Sequence, residues 1–175
     1  MAYSNRYILA EKEEASAFTS IAYLFATGGG AGYAPIAPGT VGALEGVLLY
    51  LITLAIPIGP VDHLRVLIGL SIVTFVLGVW ASNRVTNITG LKDPGIIVID
   101  EVCGQLVALT PLIFSPSVLG VVLAFLLFRF FDILKTYPIK KLEDLPSGFG
   151  VMCDDVLAGA YAAVLVWMCA ALHLI

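Results

Sequence analysis

Asp100 and Glu101 interrupt an otherwise apolar run, Ile96-Ile97-Val98-Ile99-Asp100-Glu101-Val102. A carboxylate near a bilayer centre costs roughly 2.5–3.5 kcal/mol on the insertion scale, so such a pair calls for a cation or a basic partner. Three more carboxylates have comparable settings. Asp132 stands between Arg129 and Lys135 at i, i+3 spacing, which puts all three on one helical stripe, and Asp154-Asp155 opens the last apolar run. Five carboxylates from three segments, with two cations nearby, fit a divalent-metal site facing a phosphate. Mg²⁺ takes oxygen ligands and shares its shell with substrate phosphate. It would stabilise charge on a transferring phosphoryl group and could activate water. Arg129 and Lys135 would hold the non-bridging oxygens.

Each feature also has a plainer reading. Asp154-Asp155 could cap a helix and complement its dipole, and Asp93-Pro94 fits the preferences for the N-cap and first helical position. Arg129 and Asp132 could form a structural ion pair. Capping explains Asp100-Glu101 least well, because intramembrane ionisable groups are functional by default. The stretch Gly28-Gly29-Gly30-Ala31-Gly32-Tyr33-Ala34-Pro35-Ile36-Ala37-Pro38-Gly39-Thr40 is either a linker or a nest of backbone N–H groups for an anion. No Gly-Lys-Ser/Thr follows it, so it is not a Walker loop. His63 and His173 fall on or near the far side from the acids, which disfavours histidine-activated nucleophiles. No Cys is followed five residues later by Arg. Pro146-Ser147-Gly148-Phe149 carries Phe149 where histidine-dependent lipid phosphatases have His, so that match is a decoy. Cys103, Cys153 and Cys169 lack CxxC spacing and read as small buried apolar residues.

The elements that must position these residues follow from composition. The chain has 175 residues, 59% hydrophobic and 13% charged, with a mean hydropathy of +0.99. That leaves too little polar residue to cover a globule, so lipid must solvate most of the outer surface. A net charge of -4 argues against nucleic acid as a partner. Five apolar runs stand out: Val41 to Ile58, Leu64 to Ala81, Ile96 to Phe114, Val118 to Leu134 and Val156 to Ile175. A spanning helix needs about 20 apolar residues, with roughly 17 as the lower limit. The fifth run meets the full length, while the acids make the third the least secure. Ala15 to Thr27 is too short to span and reads as an interfacial or core-packed helix. Turn signals separate the runs at Pro57-Ile58-Gly59-Pro60, Ser115-Pro116-Ser117 and Pro146-Ser147-Gly148.

The expected fold is therefore all-α. It is a polytopic membrane helical bundle of about five membrane-embedded helices with a short N-terminal amphipathic helix, forming one domain over residues 1–175. Within it, residues 1–27 are an N-terminal arm, 28–159 carry the motifs, and 156–175 form the last membrane helix. The first fourteen residues contain no cleavable signal, which keeps the start cytoplasmic. Five spans then place Arg6, Lys12, Arg84, Lys92, Arg129, Lys135, Lys140 and Lys141 on the cytoplasmic side and Arg65 alone opposite. That bias fixes the orientation and puts the acidic cluster at the cytoplasmic leaflet.

The ordered blocks also carry a resemblance. Ala34-Pro35-Ile36-Ala37-Pro38-Gly39-Thr40-Val41-Gly42 comes first, then Lys92-Asp93-Pro94 with Ile97-Val98-Ile99-Asp100-Glu101 and Gly104. Phe128-Arg129-Phe130-Phe131-Asp132-Ile133-Leu134-Lys135 with Pro138-Ile139 follows, then Gly148-Phe149-Gly150-Val151-Met152-Cys153-Asp154-Asp155 with Ala158-Gly159. In this order they resemble the phosphatidylglycerophosphatase A signature. Thr136 departs from it, since the family usually has proline after the lysine equivalent to Lys135. The resemblance implies a bacterial inner-membrane enzyme that removes the terminal phosphate of phosphatidylglycerophosphate with Mg²⁺, leaving phosphatidylglycerol. It implies that Asp100, Glu101, Asp132, Asp154 and Asp155 supply metal ligands or the base for the attacking water. Arg129 and Lys135 would grip phosphate, assisted by Lys92 and the Gly39-Thr40 backbone. Rival readings are a metal-dependent lipid phosphotransferase, a cation transporter and a non-catalytic assembly partner. The middles of the second and fifth runs carry no charge, which disfavours transport.

Overall fold

A computed structural model describes residues 17–92, 94–142, 145 and 148–175. Arg6, Lys12, Asp93, Pro146 and Ser147, used in the sequence reading, lie outside these. Among the described residues every regular element is helical. In chain order these are α1 (Ala17–Ala26), a 3-10 segment (Gly28–Tyr33), α2 (Pro38–Ala55) and α3 (Pro60–Thr89). Then come α4 (Ile99–Leu109), extended by a 3-10 turn (Thr110–Ile113), α5 (Val118–Leu134), the single turn α6 (Ile139–Leu142) and α7 (Gly148–Ala171).

Local chemistry sets the ends. Proline occupies the first positions of α2 and α3, where its missing N–H costs nothing and its fixed φ suits the helix. Gly90, at φ 71, closes α3 by donating its N–H to the Thr86 carbonyl, as a left-handed C-terminal glycine does. The Ser117 hydroxyl accepts from the Gly120 N–H at 2.9 Å and caps α5. The chain between α1 and α2 turns through Gly28, Gly29 and Gly30 at φ 55, 65 and 115, a conformation that favours glycine.

The fourth apolar run coincides with α5, but other boundaries differ from those expected. Helix α3 runs to Thr89 rather than ending near Ala81. Residues 82–89 contain no Gly or Pro, and Ser82, Val85 and Thr86 are buried. Helix α7 begins eight residues before Val156, with Gly148 so close to α3 that its N–H donates to Asn83 Oδ1 at 2.6 Å. Asp154 and Asp155 therefore lie inside α7 rather than at its cap. Pro94 is likewise not the first residue of a helix, since α4 starts only at Ile99.

Helices α2, α3 and α7 are long and apolar enough to cross a membrane. Their outward faces expose Leu48, Ile72, Val76, Trp80, Val164 and Trp167, as lipid solvation requires. The third run behaves differently. Only eleven of its residues form α4, about 16 Å of helix, and nine of those are buried. This short helix packs against α2, α3, α5 and α7, so the most polar segment of the interior is sheathed by protein.

Candidate active site

The site forms where the N-terminal ends of α2, α4 and α7 meet the C-terminal end of α5. Absent side chains allow the approach. A Cβ on Gly39 would run into Glu101 Oε1, and one on Gly42 would lie 2.7 Å from the Val98 carbonyl oxygen. Gly46 continues this stripe against Gln105. On the other side of α4, a Cβ on Gly159 would strike the Gly104 carbonyl oxygen, and one on Gly104 would lie 2.6 Å from the Asp155 carbonyl oxygen. Such small-residue contacts are how helix backbones come close inside a membrane. They bring Asp155 on α7 beside Asp100 and Glu101 on α4.

One carboxylate oxygen from each of Asp100, Glu101 and Asp155 lies within 4.8 Å of the others. Asp100 and Asp155 are buried and Glu101 is largely so. Two cations brace the surrounding acids. Arg129 Nη1 lies 2.6 Å from Asp132 Oδ2 and 3.8 Å from Glu101 Oε1. Lys135 Nζ donates to Asp154 Oδ2 at 2.7 Å. Lys135 itself terminates α5 in the left-handed conformation, at φ 43, which turns its chain back toward α7. These seven residues line a cavity of about 330 Å³ together with Ala37, Pro38, Gly39, Gly95, Ile97 and Ile133.

Carboxylates outnumber cations five to two in this lining. That excess of like charge leaves room for a further cation among the acids. Glu101 Oε2 is buried and has no hydrogen-bond partner, an unfilled acceptor beside the convergent group. An all-oxygen donor set of this kind suits a hard divalent cation such as Mg²⁺ better than a soft metal.

The expected residues are thus divided by the structure. Asp100, Glu101, Asp132, Asp154, Asp155, Arg129, Lys135 and Gly39 share the cavity. Thr40 does not line it, and exposed Lys92 lines a separate shallow pocket with Thr86, Asn87, Gly90 and Leu91. The ion pair of Arg129 with Asp132 is present and faces the same space, so its structural and functional readings are compatible. Two polar residues escaped the sequence reading. Gln105 is fully buried one turn after Glu101, and its i+4 spacing was the available signal. Glu45 lies within α2 beside an apolar groove lined by Leu24, Phe25, Leu48 and Thr74, and an acid inside an apolar run was its signal.

Comparison with known proteins decides the family. The sequence pattern of the family described as phosphatidylglycerophosphatase A matches residues 24–170. The chain belongs to the phosphatidylglycerophosphatase A family. A Haemophilus influenzae protein named phosphatidylglycerophosphatase A is 40% identical over 83% of this chain and 86% of its own length. An Escherichia coli protein of the same name is 31% identical over 83% of this chain and 81% of its own length. A Bacteroides thetaiotaomicron protein with the provisional name phosphatidylinositol-3-phosphatase is 37% identical over 82% of this chain and 89% of its own length. No solved structure matches the chain. As a phosphatidylglycerophosphatase A family member the protein is a phosphatase, and every residue lining the acidic cavity, from Ala37 to Asp155, falls inside the matched region.

Proposed function

We propose that the protein hydrolyses the terminal phosphate monoester of phosphatidylglycerophosphate, giving phosphatidylglycerol and inorganic phosphate, with Mg²⁺ as cofactor. The observation that carries this reading is the convergence of Asp100, Glu101 and Asp155 within 4.8 Å, in a cavity that also holds Arg129 and Lys135. Asp100, Glu101 and Asp155 would hold the ion, with Asp132 and Asp154 beside them. Bound there, Mg²⁺ supplies charge stabilisation for the transferring phosphoryl group and lowers the pKa of a water. The protein's own part is orientation. Arg129 and Lys135 are steadied by Asp132 and Asp154 and present donors to the non-bridging phosphate oxygens. A carboxylate of the cluster accepts the proton of the attacking water as the new P–O bond forms. The ester P–O bond breaks and the leaving glycerol oxygen takes up a proton.

In the same reading the chain is one catalytic domain of the bacterial inner membrane. Helices α4 and α5 join α2, α3 and α7 as embedded elements, making about five, and α1 lies at the interface. The acidic cavity opens to the cytoplasmic leaflet, where the headgroup lies. Support comes from the cations: Arg84, Lys92, Arg129, Lys135, Lys140 and Lys141 gather at the cavity end and Arg65 at the other.

The name of the Bacteroides relative favours one alternative substrate, a phosphoinositide monoester. Both possibilities are tested by phosphate release from phosphatidylglycerophosphate and phosphatidylinositol 3-phosphate, beside phosphatidic acid and a soluble phosphomonoester. The expected result is preference for phosphatidylglycerophosphate, abolished by EDTA and restored by Mg²⁺. Headgroup exchange without phosphate release would instead mark a phosphotransferase. Activity untouched by EDTA would remove the metal from the mechanism.

A further inference from the structure

Gln105 is 0% exposed, and neither its Oε1 nor its Nε2 has a hydrogen-bond partner in the protein. A buried amide left unpaired is costly, and apolar residues fill comparable α4 positions at Leu106 and Leu109. The side chain lies over Gly46, where a Cβ would come within 2.8 Å of Gln105 Cβ. Side chains on a helix lean toward its N-terminus, over the preceding turn. Glu101 occupies that turn at i−4, and its Oε2 is also buried without a partner. Arg129, which touches Glu101 through Nη1, buries a third unpaired group, its Nε. The set is complementary: Gln105 Nε2 and Arg129 Nε donate, while Glu101 Oε2 and Gln105 Oε1 accept.

We propose that Gln105 is a positioning residue of the site, holding an internal water between its amide and Glu101 Oε2 and so fixing the Glu101 carboxylate beside Asp100 and Asp155. An ordered water satisfies a donor and an acceptor that cannot reach one another directly. Restraint of this kind matters because outer partners set the orientation of ligating carboxylates. Gly46 lets the Gln105 stem lie against the α2 backbone. The inference rests on the reading of Glu101 as a residue of the metal-assisted site.

The test uses the full chain purified in detergent, with Gln105→Leu, Gln105→Met, Gln105→Asn and Asp100→Asn. Phosphate release with Mg²⁺ should fall about ten- to hundredfold in kcat for Gln105→Leu, with KM within about twofold. Gln105→Asn, which retains an amide, should recover part of that loss. The second readout is the thermal midpoint of the metal-free protein in EDTA. Loss of a water-bridged amide leaves the Gln105→Leu midpoint unchanged or lower, whereas loss of an unpaired amide raises it. A raised midpoint, an unchanged kcat, or a change confined to KM would each overturn the inference. Gln105→Met carries the same readings if the leucine variant does not fold. Asp100→Asn separates the two levels: if it stays active, the reading of the site fails. If it is inactive while Gln105→Leu behaves as wild type, only the role of Gln105 fails.

Discussion

Lys135 and Asp154 show why removing a charge from this site has two separable effects. Asp154 is buried, and Lys135 Nζ contacts it at 2.7 Å while keeping some exposure of its own. Breaking a buried pair by removing one partner costs more than the pair contributes, because the other charge stays behind. Lys135→Met should therefore lower the thermal midpoint in detergent, and Asp154→Asn on top of it should recover most of that loss. Phosphate release should stay at least about tenfold down in both, since the phosphate donor is gone in each. If the double variant regains activity along with stability, Lys135 is structural and has no part in phosphate binding. Arg129 differs because a single nitrogen, Nη1, lies by both acids, Asp132 at 2.6 Å and Glu101 at 3.8 Å, and the rest of its planar fork remains for phosphate. A lysine offers a point charge in place of that fork. Arg129→Lys should raise KM about tenfold or more, with a smaller change in kcat. Steady-state kinetics on phosphatidylglycerophosphate would decide this, and a pure kcat effect would contradict a role in substrate binding.

At the scale of the element, the site depends on how closely α4 is held between α2 and α7. A methyl group at Gly159 has no space, because the Gly104 carbonyl oxygen already occupies its position. Gly159→Ala should push α7 away from α4, costing about 1–3 kcal/mol as overpacking does. It should also cost activity out of proportion, because Asp155 rides on the displaced helix while Asp100 and Glu101 do not. Gly69→Ala is the control, since nothing lies within 4 Å of a Cβ there. Equal behaviour of the two variants in thermal shift and phosphate release would refute the close-packing argument. The same packing explains what the sequence could and could not disclose. Hydropathy and the Ser117 signal gave α5 its observed limits, because a helix with an exposed apolar face is written in its own residues. Helix α4 was harder to read, since its surroundings are other helices and its length is set by them. The start of α7 was hidden for a related reason: Gly148 looks like a turn residue but serves a close approach to α3. The five acids were visible because each stands out against apolar neighbours. Gln105 is neutral and did not stand out, and only tertiary placement shows that Thr40 and Lys92 do not line the cavity.

For the whole molecule, the distribution of charge makes a prediction about sidedness. The acidic cavity, the C-terminal end of α3 and the exposed turn α6 with Lys140 and Lys141 lie at one end of the bundle. The exposed pair Asp62 and Arg65, joined at 2.6 Å, lies at the start of α3. Helix α3 is about 45 Å long, more than a hydrocarbon core of about 30 Å, so it is long enough for its two ends to emerge on opposite sides. In the proposed orientation, the lysine-bearing end faces the cytoplasm, as a positive-inside bias expects. The assignment can be checked with single cysteines placed at Lys140 and at Asp62, in a chain whose Cys103, Cys153 and Cys169 are alanine. A membrane-impermeant maleimide added to intact spheroplasts should label Asp62→Cys. Lys140→Cys should react only after the membrane is opened. The reverse pattern would turn the molecule over and place the acidic cavity at the outer leaflet, against the proposed orientation. Labelling of both positions from outside would contradict α3 as a spanning helix.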